Sequence, residues 1–522
     1  MVSANTWQQL RPLPIALFIS LLFSLVLLGL ATHWSFDLFQ PGFLWKAYNY
    51  YFLSIIDGHL NVPAFAIGKE GSYVGDKVYM YYGILPTLPR FLLHPFVDLT
   101  QVPAAYFSIM FYTIIGNTTL QYCLVKQYVC NSKNLKVANS TSFLFLIIVS
   151  MVVWFGSGSF IGSQNASIYH EPYAASLCLA NIYLGLMLRY NFFTGEYRRI
   201  SLIPFAILAG LCVHARMPSA LALYAVTVIL ILLQSYRSLK NSAESRHFLH
   251  LVIHSISQYY RELIVLLLFG LSIFWLNYVR FGDMFKFMGT GYGFIFFEGW
   301  SERQCSVIPS SSIYKFVRVL VNGYVYLTGD WENHWSLIRL LSTGYGRIES
   351  PAVPLLLLWP LPIFCFCWLI WKTLVKINVA GNKILLALVF AFSAGAVFQL
   401  AYPTITHRYV ITLWLPLLAS LLYCWCIYLK QEKQFKFQFS AKILVVLALV
   451  GVSYQLYIAS TSNYYLKDGP VTNLPTYHYS DADNEFLGSL TAEKIEEFIA
   501  QRKLTKAAEC QKFKELNNLS SG

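Results

Sequence analysis

Apolar segments of near-bilayer length recur along this chain, and no other feature of the sequence restricts its fold as strongly. A membrane-spanning helix needs about 20 apolar residues to cover roughly 30 Å of hydrocarbon at about 1.5 Å per residue. Eleven segments approach that requirement, at 13–31, 102–125, 141–162, 173–190, 201–213, 221–233, 263–279, 351–371, 384–402, 409–429 and 443–460. The fifth and sixth are short and are separated by "HARMPSA", so they also read as one broken pair. The expected fold is an all-α polytopic membrane protein of about eleven transmembrane helices. Composition agrees, because only 12% of residues are charged, against about 25% in soluble domains.

Loop charge gives an orientation. The connections 126–140, 189–200, 236–262, 372–383 and 430–442 hold 3, 3, 4, 3 and 4 Lys/Arg, whereas 163–172, 214–220 and 403–408 hold 0, 1 and 1. Basic loops stay cytoplasmic, so the second set faces outward. The net charge of +13 thus reports topology and does not call for a nucleic acid partner. The expected organisation is a membrane module over 1–460, with long external loops at 32–101 and 280–350, and an external, partly helical tail at 461–522. The ten cysteines form no CxxC or zinc-type spacing. Cys305 and Cys510 alone fall outside in this topology, which leaves a disulfide between them open.

Ionisable groups collect at the outer ends of the spans. "SIYHEPYAA" puts His170 and Glu171 just before the fourth span, "GLCVHARMPSA" puts Arg216 after the fifth, and "THRYVITLWLPLL" opens the tenth with His407, Arg408 and Tyr409. The first outer loop adds Asp37, Asp57 and His59, the latter two in "DGHLNVP". Charged groups at a membrane boundary cost free energy unless solvated or paired, and they often mark functional sites. A lone carboxylate reads equally well as a solvated turn. Acids, cations and aromatics from four segments on one side read as an interfacial cavity for an anionic headgroup and acid–base chemistry.

Those motifs resemble the GT-C superfamily of polytopic membrane glycosyltransferases, nearest the branch of protein O-mannosyltransferases and aminoarabinose transferases, over roughly residues 13–430. Glu171 in "YHEPYAA" corresponds to an acid that opens the fourth span, Arg216 in "GLCVHARMP" to a basic residue after a "GL" stretch, and "HRYVITLWLP" to a late-span segment. "LNYVRFGDMFKFMG" is similar to a recurrent stretch of bacterial members. Where many members carry a DE or DD pair soon after the first span, this chain has only Asp37. Asp57 is therefore favoured over Asp37 as the first-loop acid, since "DGHLNVP" is similar to the family's G-(D/H)-x-x-x-P turn.

The resemblance implies an inverting transfer of a sugar from a polyprenyl-phosphate donor to a glycan, lipid or protein acceptor, at the periplasmic face of a bacterial inner membrane. Asp57, Asp37 and Glu171 are the candidate catalytic acids. A carboxylate would take the acceptor proton as the C1 bond forms. His59, His170, Arg216, His407, Arg408 and Tyr409 are the candidate donor-binding residues, with the arginines suited to phosphate by their planar fork. Tyr409 reads as an interface anchor rather than a proton donor. No metal is required, because cations can stabilise the leaving phosphate unaided. A divalent ion held by His170 and first-loop acids stays open. Two other classes compete: a lipid or sugar transporter, which would place polar groups near the bilayer midplane, and a non-catalytic envelope assembly protein.

Overall fold

A computed structural model of the chain describes residues 12–67, 70–74, 77–132, 140–164, 166–194, 199–239, 248–286, 316, 318–329, 353–375, 380–402, 407–430 and 441–461. Most of the second long loop, the tail beyond 461, Asn165, Cys305 and Cys510 lie outside these residues. The helices are α1 Pro12–Ala31, α2 Lys46–Ile56, α3 Ala105–Ser132, α4 Ser140–Phe155, α5 Gly158–Ser163, α6 His170–Arg189 and α7 Ile203–Val213. They continue with α8 Met217–Leu239, α9 Phe248–Phe281, α10 Arg318–Thr328, α11 Pro360–Val375, α12 Ala380–Leu400, α13 Val410–Lys430 and α14 Ala441–Thr461.

Each of the eleven expected segments overlaps a helix, but the number long and apolar enough to cross a membrane is smaller. Among the described residues six qualify, at Pro12–Ala31, Ser142–Ser163, Met217–Leu239, Leu249–Phe281, Val410–Leu429 and Lys442–Ser460. Ile203–Val213, Pro360–Val375 and Leu385–Leu400 are apolar but short. α3 and α6 have the length yet carry polar side chains that point at each other: Asn181 Nδ2 donates to Asn117 Oδ1 at 2.8 Å. α9 also departs from expectation. It begins at Phe248 and contains a non-helical residue, Tyr259 (φ −120°, ψ 26°), so a stretch expected as a cytoplasmic loop is helical up to a kink.

Burial sorts the helices into centre and rim. The apolar window of α13 is 94% buried and that of α4 and α5 is 83% buried, while α1, α9 and α14 reach only 22%, 28% and 28%. Phe18, Leu21 and Leu25 of α1 are exposed, as a lipid-facing helix requires. In the interior α3 packs along α6 at close range: a Cβ on Gly116 would lie 2.7 Å from the Cα of Cys178. Small residues allow such approach between helices. Gly116→Ala is therefore expected to lower the apparent melting temperature in detergent, at a cost of about 1–3 kcal/mol. Gly270→Ala, whose added Cβ meets nothing within 4 Å, should leave it unchanged.

The first loop builds a small cap over one end of this bundle. α2, a helical turn at Ala64–Ile67 and the antiparallel hairpin β1 Ser72–Val74 with β2 Lys77–Tyr79 surround a core containing Tyr48, Tyr51, Val62, Ile67, Val78, Met80 and Ile168. Ile168 belongs to the segment before α6, which pairs with the cap through Phe43 N to Ala166 O at 3.0 Å and Ile168 N to Phe43 O at 3.1 Å. Further along, Leu85 N donates to His214 O at 2.9 Å and Tyr112 Oη to Leu85 O at 2.5 Å. Gly83 permits the first of these contacts, since a Cβ there would lie 1.9 Å from His214 O. The cap is thus seated on the ends of α3, α6 and α7.

Candidate functional site

Three chain segments that are remote in sequence end under the cap. The turn His214–Arg216 joins α7 to α8, Tyr169 precedes α6, and the 3-10 turn His407–Tyr409 precedes α13. The Arg216 guanidinium lies 3.7 Å from the ring centre of Tyr173 and 5.9 Å from that of Tyr409. The Arg408 guanidinium lies 4.0 Å from the ring of Tyr169 and 5.3 Å from that of Tyr409. Both cations thus lie near the ring of Tyr409. Stacking on a ring face attracts a guanidinium electrostatically without consuming its in-plane N–H donors. Arg216 Nη2 donates to Gln399 Oε1 at 2.9 Å, and its Nε is buried with no hydrogen-bond partner among the described residues.

A carboxylate that was not among the candidates sits beside this platform. Glu70 is buried, and the hydroxyls of Tyr81, Tyr82 and Tyr169 all donate to it, the first two at 3.2 and 3.3 Å. The hydroxyls of Tyr81 and Tyr82 lie 2.5 Å apart, so the single proton of Tyr81 is shared between Tyr82 Oη and the carboxylate. Burial pushes the pKa of both Tyr81 and Tyr82 well above the usual phenol value, and the Glu70 charge adds to the effect. They stay protonated and remain donors. Tyr169 is the link between the two halves, with its hydroxyl on Glu70 and its ring under Arg408.

Glu171 is placed differently from the expectation that it touches donor or acceptor. It is 1% exposed and paired in bidentate fashion with Arg90, at 2.7 Å to Nη1 and 3.1 Å to Nη2. Arg90 also donates from Nε to Asn49 Oδ1 at 2.8 Å, while Asn49 Nδ2 bonds Leu99 O and Val102 O. This network fastens the cap to the first turn of α6. The neighbouring His170 is buried too, its Nδ1 2.6 Å from Ser167 Oγ.

Asp57 and His59 come together in a separate cleft of about 480 Å³, lined also by Tyr50, Ser54, Asn61 and Lys77. Their local sequence is a helix stop. Gly58 adopts φ +83°, Gly58 N donates to Ile55 O at 3.1 Å and His59 N to Ser54 O at 2.9 Å. This pair of bonds around a left-handed glycine is the Schellman motif. It turns the exposed carboxylate of Asp57 and the ring of His59 out of α2 into the cleft. Val78 lines that cleft, and Tyr81, three residues further along, bonds Glu70 beside the platform. Their Cα atoms are consequently no more than roughly 11 Å apart. Asp37 is exposed and accepts a hydrogen bond from Phe39 N at 2.8 Å, closing its own turn. The side chain of His407 lies outside the described residues. Among the described residues no three His, Cys, Asp or Glu side chains are grouped to hold a metal ion.

No family model matches the sequence, and no curated protein matches it. Among solved structures, the fold is similar to the archaeal oligosaccharyltransferase AglB from Archaeoglobus fulgidus, in complex with an inhibitory peptide and a dolichol-phosphate. The TM-score is 0.41 at 14% identity, over 85% of this chain and 55% of that one. The chain spans little more than half the length of that protein, and a likeness this distant leaves function to be argued from side chains.

Of the expected residues, the structure brings Arg216, Arg408 and Tyr409 together at one place and Asp57 and His59 together at another. Glu70, Tyr81, Tyr82 and Arg90 were missed. "GKEGSYVG" around Glu70 has the composition of a solvated turn. The usable signal was "YMYYG" just after it, since adjacent tyrosines need hydroxyl partners when buried.

Proposed function

We propose that this protein is an inverting glycosyltransferase that moves a sugar from a polyprenyl-phosphate donor to an acceptor at the external face of a bacterial inner membrane. One observation carries the reading: two guanidiniums from distant span ends, Arg216 and Arg408, come within 5.9 and 5.3 Å of the single ring of Tyr409. Paired guanidiniums in a partly dry site suit the charge that develops on a departing phosphate. Their anchorage on tyrosine rings removes the need to reorganise during reaction.

The transfer balances with groups at hand. The acceptor hydroxyl oxygen attacks C1, the bond from C1 to the phosphate oxygen breaks, and the acceptor proton passes to a carboxylate. Asp57 fits that last role because it is exposed and faces a cleft of the cap. Glu70 fits it less well, since both of its oxygens already accept from phenol hydroxyls, Oε1 from Tyr169 and Oε2 from Tyr82. Glu70 holds Tyr169 beneath Arg408, and Glu171 acts at one remove by fixing Arg90 and the cap. Glycan, lipid or protein would enter by the cleft of Tyr50, Asp57 and Asn61.

The test is release of free lipid phosphate from polyprenyl-phosphate sugars by the purified protein, with an acceptor extract present. Asp57→Asn is expected to lower the rate by about 10²–10⁴-fold, the usual contribution of a general base, and Asp37→Asn to leave it within twofold. Wild-type turnover in Asp57→Asn would remove this base. Absence of lipid phosphate release with every donor tried would remove the reading itself.

A further inference from the structure

A further buried cation belongs to none of the three segments that form the platform. Arg280, at the end of α9, is 2% exposed, and no carboxylate lies within ion-pair distance of it among the described residues. Among the described residues its guanidinium meets the hydroxyl and ring of Tyr51 alone, the ring centre 5.5 Å away. Among the described residues, three polar atoms in this neighbourhood are buried with no hydrogen-bond partner: Arg280 Nε, Tyr48 Oη and His214 Nδ1. The ring centres of Tyr48 and Tyr51 lie 6.5 Å apart, and burial followed by the Arg280 charge depresses the basicity of His214. Arg90 adds a cation 5.6 Å from the Tyr48 ring, but its charge is already matched by Glu171.

An uncompensated buried guanidinium is unfavourable, and a cation–π contact with one phenol offsets only a small part of that cost. Water could satisfy the orphaned atoms, yet it would leave the charge unmatched. An oxyanion does both, because it accepts from Arg280 and from the Tyr48 hydroxyl together. We propose that Arg280, Tyr48 and Tyr51 form a binding site for a phosphate group, distinct from the place assigned to the donor phosphate at Arg216 and Arg408. The inference rests on these residues alone and holds whether or not the protein transfers sugars. The phosphate is either soluble or borne by a lipid, and both sources present the same oxygens.

The experiment is equilibrium binding of radiolabelled inorganic phosphate to the full chain in an uncharged detergent, with short-chain phosphatidic acid as competitor. Arg280→Gln is expected to abolish one binding site or weaken it at least tenfold. Tyr48→Phe should weaken the same site several-fold. That variant removes a hydroxyl with no protein partner, so it loses no internal hydrogen bond and decides the matter even if Arg280→Gln does not fold. Displacement by phosphatidic acid identifies a lipid-borne phosphate; phosphate binding that resists it identifies a soluble one. Arg216→Gln separates the two readings, because it should remove the platform's phosphate and leave the site at Arg280 filled. Phosphate binding in folded Tyr48→Phe and Arg280→Gln that equals wild type would mean that water fills this space, and the proposal would fall.

Discussion

Arg408→Ala is expected to slow release of lipid phosphate by about 10²–10³-fold, the loss typical when one preorganised stabiliser of developing charge is removed. Arg408 is 6% exposed and lies against the faces of Tyr169 and Tyr409. Its charge therefore acts in a medium that screens poorly, where each stabilising contact counts for more than at the surface. The effect should fall on the chemical step. Single-turnover rates should drop while affinity for the sugar-bearing donor changes less, because charge on the phosphate oxygen grows as the bond to C1 breaks. Arg408→Lys should recover little, since an ammonium neither stacks on the two rings nor pairs bidentately. Affinity for free polyprenyl phosphate, the product, should weaken in parallel with the rate. An Arg408→Ala protein that is folded and turns over within threefold of wild type would show that the platform is not where the leaving group sits.

The residues of that platform were readable in the sequence for a physical reason. Arg216, Arg408 and Tyr409 stand at the ends of long apolar runs, so the membrane pattern itself fixes which end of the bundle each occupies. Charge asymmetry between the loops then puts them at the same end. The helices were legible on the same ground, α3 and α6 among them. The asparagines of α3 and α6 dilute the apolar signal because these two helices face each other inside the bundle, where Asn181 Nδ2 donates to Asn117 Oδ1. What was not legible lies in the cap. Arg90 and Glu171 are 81 positions apart, and nothing in either local sequence announces the pairing. Glu171 at the start of a span looks the same whether it greets a substrate or an arginine. Glu70 was hidden by a hydrophilic turn that becomes buried only when Tyr81, Tyr82 and Tyr169 close over it. Periodicity identifies an element and its face, but the partners of a folded loop depend on tertiary docking.

The ion pair beneath the cap leads to the other large effect, on stability. Glu171→Leu should destabilise the protein by about 3–5 kcal/mol, the cost of leaving one partner of a buried pair alone. Arg90→Met should cost less than Glu171→Leu. A stranded carboxylate can take up a proton and become neutral, whereas a stranded guanidinium keeps its charge at any pH a protein tolerates. Arg90 would still have Asn49 Oδ1 and Pro86 O as acceptors in Glu171→Leu, but neither neutralises it. The double variant, Arg90→Met with Glu171→Leu, should be more stable than Glu171→Leu alone, because replacing both charges by apolar groups of similar size removes the desolvation penalty along with the attraction. Apparent melting temperatures of the purified single and double variants, compared as a double-mutant cycle, measure this coupling directly. Protease nicking within residues 46–104 is a second readout, since the network of Arg90, Glu171 and Asn49 is what fastens this segment to α6. Additive losses in the cycle, with the cap as resistant as in wild type, would show that the docking rests instead on the buried tyrosine core around Tyr48 and Tyr51.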